Sequence, residues 1–319
     1  MVFFGTPAFA VPTLERLLAG PFRVVAVVSQ PDRPRGRGRK PSASPVSEIA
    51  REAKLPLLTP EHVGAPALLE ELRGFAPDLG VVVAYGQFLP RALRELPRLG
   101  YLINAHASLL PRYRGAAPIA RAILAGETQT GISLMRVERE MDAGAVAGIR
   151  SLEIRADEDC EELSARLAAL AAEAVHEVLE QIADGSVRFT PQDHARATLA
   201  PKLSREEARL DWREASDALV RQVRAMAPRP GAYTSHGAEG LRILSARSIP
   251  GEVTDPPGTV RRGKDPALRI ATGDGWLAPL RLQRPGGRPL DTAAFLRGQP
   301  IPDGVRLGDE GGTDTLEPR

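Results

Sequence analysis

Short unbroken apolar runs alternate with helix-spaced apolar residues through the first half of the chain, and this alternation limits the fold more than any other feature. Val2-Phe3-Phe4 opens it, and Val11, Leu14, Leu17 and Leu18 follow at helical spacing. Val24 to Val28 is a continuous apolar run, as a strand covered on both faces requires. Ser44-Pro45 reads as a helix start, cap residue first and proline in the first turn, leading to Val46, Ile49 and Ala50. Leu68, Leu69 and Leu72 mark a further helix. Leu79 to Ala84 and Tyr101 to Asn104 read as strands. Pro118 opens a helix through Ile119 and Ile123 that stops near Gly126. Ile132 to Val137 alternates like a strand, and Val146 to Ile154 could return antiparallel. This β-α-β-α order predicts an α/β fold: a doubly wound parallel sheet with helices on both faces. Ligands of such sheets bind beyond the carboxyl ends of the strands.

The second half changes character. Glu161 to Ala183 is an Ala-rich helix with Leu163, Leu167, Leu170, Val178 and Ile182 inside, ending at Asp184-Gly185. From Ser186 to Pro201 the periodicity fades and two prolines appear, so residues 186–203 read as a linker. A helix from Glu214 to Met226 follows, with Leu219, Val220, Val223 and Met226 on one side and Pro228-Arg229-Pro230-Gly231 as its stop. Short strand-like pieces then alternate with turns: Ala232 to Thr234, Leu241 to Leu244, Gly258 to Val260, Leu268 to Ala271 and Trp276 to Leu282. Their length and the frequent glycines predict a small OB-like β-barrel. The expected domains are a Rossmann-like unit over 1–185, the barrel over 204–308, and a Gly/Asp/Glu-rich tail over 309–319 that reads as disordered.

Composition adds bounds. A chain of 319 residues suits two domains or one large one, and 43% hydrophobic with 26% charged residues suffices for a packed core. The single cysteine, Cys160, excludes an internal disulfide, and its acidic neighbours disfavour a reactive thiolate. A reducing cytoplasm fits. No apolar run approaches the roughly 20 residues that span a bilayer. Ala8-Phe9-Ala10 resembles a signal-peptidase site, but no basic residue precedes it and Gly5-Thr6-Pro7 breaks the apolar run, so no leader is expected. One cysteine and five scattered histidines show no zinc spacing, and no metal is expected. Gly36-Arg37-Gly38 is not at a strand-to-helix turn, and Ser108 lacks the Gly-x-Ser-x-Gly setting of a nucleophile elbow.

The chemistry concentrates in Asn104-Ala105-His106-Ala107-Ser108-Leu109-Leu110-Pro111-Arg112-Tyr113-Arg114-Gly115. Two residues apart at a strand end, Asn104 and His106 point to the same side. A hydrogen-bond donor then stands beside a proton-transfer group, the pair that acyl-group chemistry needs. His106 alone would read as a strand-end core histidine, as do His62, His176, His194 and His236. Asp142, in Met141-Asp142-Ala143-Gly144, follows a strand that could neighbour the one carrying Asn104. A carboxylate there could orient His106 and stabilise its protonated form. Gln30-Pro31-Asp32-Arg33-Pro34-Arg35-Gly36-Arg37-Gly38-Arg39-Lys40 is an extended, flexible cationic arm. Generic basic runs are solvated loops, but this density of charge makes Arg33, Arg35, Arg37, Arg39 and Lys40 candidates for nucleic-acid phosphate contact.

Taken together these segments resemble the methionyl-tRNA formyltransferases, over nearly the whole chain. The Asn104–Ile119 stretch is the strongest match, with Phe4–Ala10, the basic insertion, and Lys202-Leu203-Ser204-Arg205-Glu206-Glu207-Ala208-Arg209-Leu210-Asp211-Trp212 beside it. Val82 to Gly86 followed by Leu89-Pro90 is similar to the family's folate-site strand and loop. The resemblance implies transfer of the formyl group of 10-formyltetrahydrofolate, a co-substrate, to the α-amine of initiator methionyl-tRNA by a cytoplasmic monomer. It implies Asn104, His106 and Asp142 as the catalytic trio and the arginine arm as a tRNA contact. Tyr85, Gly86, Phe88, Leu89, Ser108, Leu109, Leu110 and Pro111 would line the folate pocket. Two departures stand out: Asp142-Ala143-Gly144 where the family usually has Asp-Thr-Gly, and Ala227-Pro228-Arg229-Pro230 where it often has Asn-Pro-Trp-Pro. The alternatives are a formyltransferase acting on a sugar nucleotide or glycinamide ribotide, a formyltetrahydrofolate hydrolase, and a non-catalytic RNA-binding protein on a decayed enzyme scaffold.

Overall fold

A computed structural model describes residues 1–35 and 40–308. The chain divides into two compact units, the first made of Met1–Pro118, Gln129–Glu153 and Ser164–Pro201, the second of Ile119–Thr128, Ile154–Leu163 and the chain from Lys202 onward. The expected disordered tail, 309–319, lies outside the described residues.

The first unit contains β1 (Val2–Gly5), α1 (Val11–Ala19), β2 (Ala26–Val28), β3 (Arg33–Arg35), β4 (Lys40–Ser42), α2 (Pro45–Glu52), β5 (Leu57–Leu58), α3 (Pro66–Gly74), β6 (Gly80–Val83), α4 (Arg91–Arg94) and β7 (Leu102–His106). After α5 (Pro118–Leu124) come β8 (Gln129–Arg136), β9 (Val146–Glu153) and α6 (Cys160–Ala183). The unit boundaries run through the first turn of α6 and set all of α5 after Pro118 in the second unit. One seven-stranded sheet runs in the order β5-β2-β1-β6-β7-β8-β9. Pairing is parallel from β5 to β7, while β8 and β9 join antiparallel. The parallel part is the expected doubly wound arrangement: β1, β2 and β6 are buried along their length, the edge strand β5 is half-buried, and each crossover carries a helix. The chain winds outward from β1 through β2 to β5 and then returns to β6 and β7. The winding therefore reverses between β1 and β6, and a crevice opens at their carboxyl ends. Phe4, Val28, Leu72, Val82, Tyr85 and Leu102 pack together in the core beneath it.

Local signals explain the helices. Ser44 Oγ accepts from Ser47 N at 3.0 Å, with Pro45 in the first turn of α2, as the sequence reading expects. The buried row of α6 mixes Ala168, Ala171, Ala172 and Ala174 with Leu163, Leu167, Val175, Val178 and Leu179, whereas Leu170 and Ile182 are only half-buried. On either side of residues 36–39, which lie outside the described residues, β3 pairs β4 antiparallel, with Arg33 opposite Ser42 and Arg35 opposite Lys40.

The second unit holds α7 (Ser216–Met226), β10 (Ala232–His236), β11 (Glu239–Pro250), β12 (Val260–Arg262), β13 (Leu268–Ala271), β14 (Gly275–Gln283), β15 (Leu290–Asp291) and α8 (Thr292–Gly298). Its sheet is antiparallel, in the order β10-β11-β14-β13-β12, with β15 on β14. β11 is three times as long as the expected Leu241–Leu244 strand, since its later half is polar and half-buried and so carries no clean period. Bulges at Ile243–Ser245–Ala246 bend it. Trp212, Leu219, Val223, Met226, Ile243 and Leu277 fill the core, and Trp212 Nε1 donates to Thr234 Oγ1 at 3.1 Å.

Candidate active site

β7 sets the centre of the site. Asn104 lies between Val82 of β6 and Met135 of β8, and His106 lies opposite Ser133 of β8. The two residues share a face at the carboxyl end of the strand, as the period of two requires. Asn104 is half-buried, and among the described residues its side chain makes no hydrogen bond, so its amide is free to donate to a substrate oxygen. His106 is held on both sides. Its Nε2 lies 2.8 Å from the carbonyl oxygen of Tyr113, and its Nδ1 lies 3.4 Å from Asp142 Oδ2. Both partners are oxygen atoms, so a proton on either ring nitrogen faces an acceptor. The His106 and Asp142 side chains are 7% and 14% exposed, so water screens their interaction little. Asp142 Oδ2 also accepts from the backbone N–H of Gly115 at 2.9 Å.

The loops that carry these groups are bent into rare conformations. Ala84, Tyr113 and Asp142 have φ of 47°, 59° and 52°, and Gly86 and Gly115 have 86° and 125°. Residues in such conformations persist only where their surroundings hold them, and they gather at functional sites.

The expected folate residues fall into different settings. The Tyr85 side chain is buried in the core, 2% exposed, with its ring edge-on to Phe4 at 5.7 Å. Burial pushes its phenol up to about 12, and its hydroxyl has no partner among the described residues. What Tyr85 presents to the crevice is its carbonyl, which accepts from Thr6 Oγ1 at 3.0 Å and Gln30 Nε2 at 2.8 Å. Glycine suits position 86 because its φ of 86° strains an L residue, and a Cβ there, 2.5 Å from Gln30 Nε2, would also push that side chain off the Tyr85 carbonyl. Phe88 is 63% exposed and Leu89 is buried. Ser108 is fully buried and donates to the Arg112 carbonyl at 2.6 Å. The Ser108 carbonyl in turn accepts from Ser133 Oγ at 2.7 Å. The side chain of Ser108 therefore shapes the loop. Leu109 is half-buried. Leu110 and Pro111 line a cavity of about 360 Å³ together with Val146, Ile149, Thr190 and Gln192. Asn104, His106 and Asp142 do not line it, so the cavity is not where the trio converges.

The structure thus brings Asn104, His106 and Asp142 to one place. Of the arginine arm, Arg33, Arg35 and Lys40 sit on paired strands, while Arg37 and Arg39 lie outside the described residues. Sequence reasoning missed Thr6 and Gln30, which tie the ends of β1, β2 and β6 together. Their only signal was a polar residue just after an apolar strand. Among the described residues no group of three or more His, Cys, Asp or Glu could hold a metal ion, and no helix is long and apolar enough to cross a membrane.

A reversing α/β sheet with a donor, an imidazole and a carboxylate at its carboxyl edge is the architecture of a group-transfer enzyme. Residues 1–179 match the family Formyl transferase, and residues 202–300 match Formyl transferase, C-terminal domain. The chain belongs to the formyl transferase family. The methionyl-tRNA formyltransferase of Roseiflexus sp. (strain RS-1) is 43% identical over 312 residues, covering 97% of this chain and 95% of that protein. That of Thermus thermophilus is 43% identical over 308 residues, covering 97% of this chain and 99% of that protein. Among solved structures, the N-formyltransferase from Helicobacter canadensis with folinic acid and dTDP-3-aminofucose superposes with a TM-score of 0.65 at 16% identity, covering 87% of this chain and 98% of that one, a likeness of fold.

Proposed function

We propose that this enzyme formylates the α-amine of methionine on initiator methionyl-tRNA, using 10-formyltetrahydrofolate as the formyl donor. The observation that carries the reading is the contact of His106 with Asp142 beside a free Asn104 amide, in a chain of this family. The donor supplies a formyl carbon already activated by its bond to a ring-linked nitrogen. The amine forms the new C–N bond as the bond to the folate nitrogen breaks. Asn104 donates to the formyl oxygen while it carries negative charge. His106 either polarises the formyl oxygen or relays the proton of the amine to the departing folate nitrogen. Asp142 stabilises the protonated ring and fixes its orientation. The backbone of Tyr85 and Gly86, with Phe88 and Leu89, forms the folate wall, and Ser108 to Pro111 forms the loop beside it.

The arginine arm, through Arg33, Arg35, Arg37, Arg39 and Lys40, contacts tRNA phosphates in this reading, and residues 204–308 add a second tRNA-facing surface. The enzyme works as a cytoplasmic monomer. The test is formyl transfer to charged initiator methionyl-tRNA, with charged elongator methionyl-tRNA alongside. Strong preference for the initiator supports the reading. No transfer to either tRNA by a folded protein that binds folate refutes it and points to another amine or to water as acceptor.

A further inference from the structure

We propose that Gln192 is a positioning residue for Asp142, and that the buried Arg114 holds Gln192 to that task. The inference rests on the reading of Asp142 as the partner of His106. Asp142 sits in a rare backbone conformation, φ 52°, so its carboxylate reaches His106 only if the turn around it is held from outside. Gln192 holds it. Its Nε2 donates to the carbonyl oxygens of Asp142 and Gly144, each at 2.8 Å, so both of its hydrogens are used on this one turn.

The other end of the same amide is also taken. Gln192 Oε1 accepts from Arg114 Nε at 3.1 Å and Nη2 at 2.7 Å. A flipped amide would set its oxygen against two carbonyls and its NH₂ against a guanidinium, so only one orientation satisfies all four contacts. Arg114 is itself 5% exposed, and its remaining reach goes to Glu140 Oε1 at 3.4 Å and His194 Nδ1 at 3.3 Å. Its backbone is locked as well: Arg114 N donates to the Thr198 carbonyl at 2.9 Å, and Ala200 N donates to the Arg114 carbonyl at 2.7 Å.

Residues 189–200 therefore form a strap across both catalytic loops. The strap holds the turn that offers the Tyr113 carbonyl to His106, since Thr198 Oγ1 accepts from Tyr113 N at 2.9 Å. It holds the Asp142 turn through Gln192. At its start it is anchored by Phe189, which stacks on the Arg136 guanidinium at 4.0 Å, and by Thr190, paired with Val146 in both directions. Periodicity marks this segment as a linker because a strap has none: its bonds go to other loops.

The test uses Gln192→Glu in the full-length enzyme. Glutamate keeps the shape and the acceptor for Arg114 but loses both donors to the Asp142 turn. Displacements of about 1 Å at a reacting group cost on the order of 10² in rate. The expected result is a kcat loss of that order with KM for both substrates little changed, and no further loss when Gln192→Glu is added to Asp142→Asn. Arg114→Lys, which keeps the cation but not the two-point contact, is the second arm and should show the same non-additivity. Thermal unfolding of each variant verifies that it is folded. Wild-type kcat in Gln192→Glu, with Asp142→Asn impaired, overturns the inference and leaves the site reading standing. Additive losses in the double variants also overturn it, because they show that Gln192 and Arg114 act on kcat independently of Asp142. Full activity in Asp142→Asn removes the site reading and this inference with it.

Discussion

Gly115→Ala should damage folding and catalysis together, and the structure sets the size of each effect. Gly115 has φ of 125°, a region that L residues occupy at a cost on the order of 1–3 kcal/mol. An alanine Cβ would also lie 2.7 Å from the carbonyl oxygen of Ala200, a backbone atom that cannot swing aside as a side chain would. That carbonyl accepts from Ala117 N at 3.1 Å, and Ala200 N donates to Arg114 at 2.7 Å. Pushing the strap away weakens both bonds, each worth about 1 kcal/mol. The sum is about 3–5 kcal/mol, which lowers Tm by roughly 6–20 °C in a unit of this size. The total reaches at most the low end of the usual stability of a domain, about 5–15 kcal/mol, so the variant folds. In the folded variant the Gly115 N–H no longer meets Asp142 Oδ2 as it does at 2.9 Å, and kcat falls by on the order of 10–10². Differential scanning calorimetry and steady-state kinetics read the two effects. A Tm within about 2 °C of wild type together with unchanged kcat would show that the strap yields freely, and the reasoning about held loops would fail.

Asn104→Ala should lower kcat by on the order of 10²–10³ with KM little altered, because the lost donor acts only when the formyl oxygen carries charge. A change confined to KM removes that role. Arg37→Ala should weaken tRNA use and flatten the dependence of log KM on log salt by about one phosphate contact, and an unchanged slope removes Arg37 from the interface. The Tyr85 phenol is raised from 10 to about 12 by burial, so the native state stays protonated where the unfolded chain has already ionised. Its contribution to stability is complete below pH 10 and is lost as pH rises through about 12. Absorbance titration should show a tyrosine step near pH 12 that Tyr85→Phe abolishes; a titration curve unchanged by Tyr85→Phe in that range would contradict it. Cys160 is raised to about 11, by burial first and then by Asp159 and Glu161. Near neutral pH it should react with a thiol reagent on the order of 10² more slowly than free cysteine, and an equal rate would place it in a different environment.

Legibility followed the range of the interactions. Val24 to Val28 and Leu79 to Ala84 were readable as strands because burial on both faces demands an unbroken apolar run, which is a local property. Asn104 and His106 were readable as a pair because two residues along a strand always share a face. The ends of helices were readable where a cap and a proline stood in sequence, as at Ser44-Pro45. β11 was legible only in its apolar first part, since its later half packs through polar, half-buried residues. Tyr85 was readable as a residue of the site's loop but not as a core side chain, since nothing in Ala84-Tyr85-Gly86 says which way the ring turns.

By itself the sequence determined what short-range sterics and burial dictate: the α/β order of the first unit, the shared face of Asn104 and His106, and a carboxylate at Asp142 after the next strand. Only the tertiary structure decided that this carboxylate meets the histidine: β8 pairs antiparallel on β7 and ends with Arg136 opposite Ile103, and the loop from β8 to β9 then folds back to set Asp142 against His106. Only the tertiary structure could reveal the strap, too. Gln192 and Arg114 take their roles from four hydrogen bonds between segments far apart in the chain, and contacts of that kind leave no period, no cap and no motif behind them.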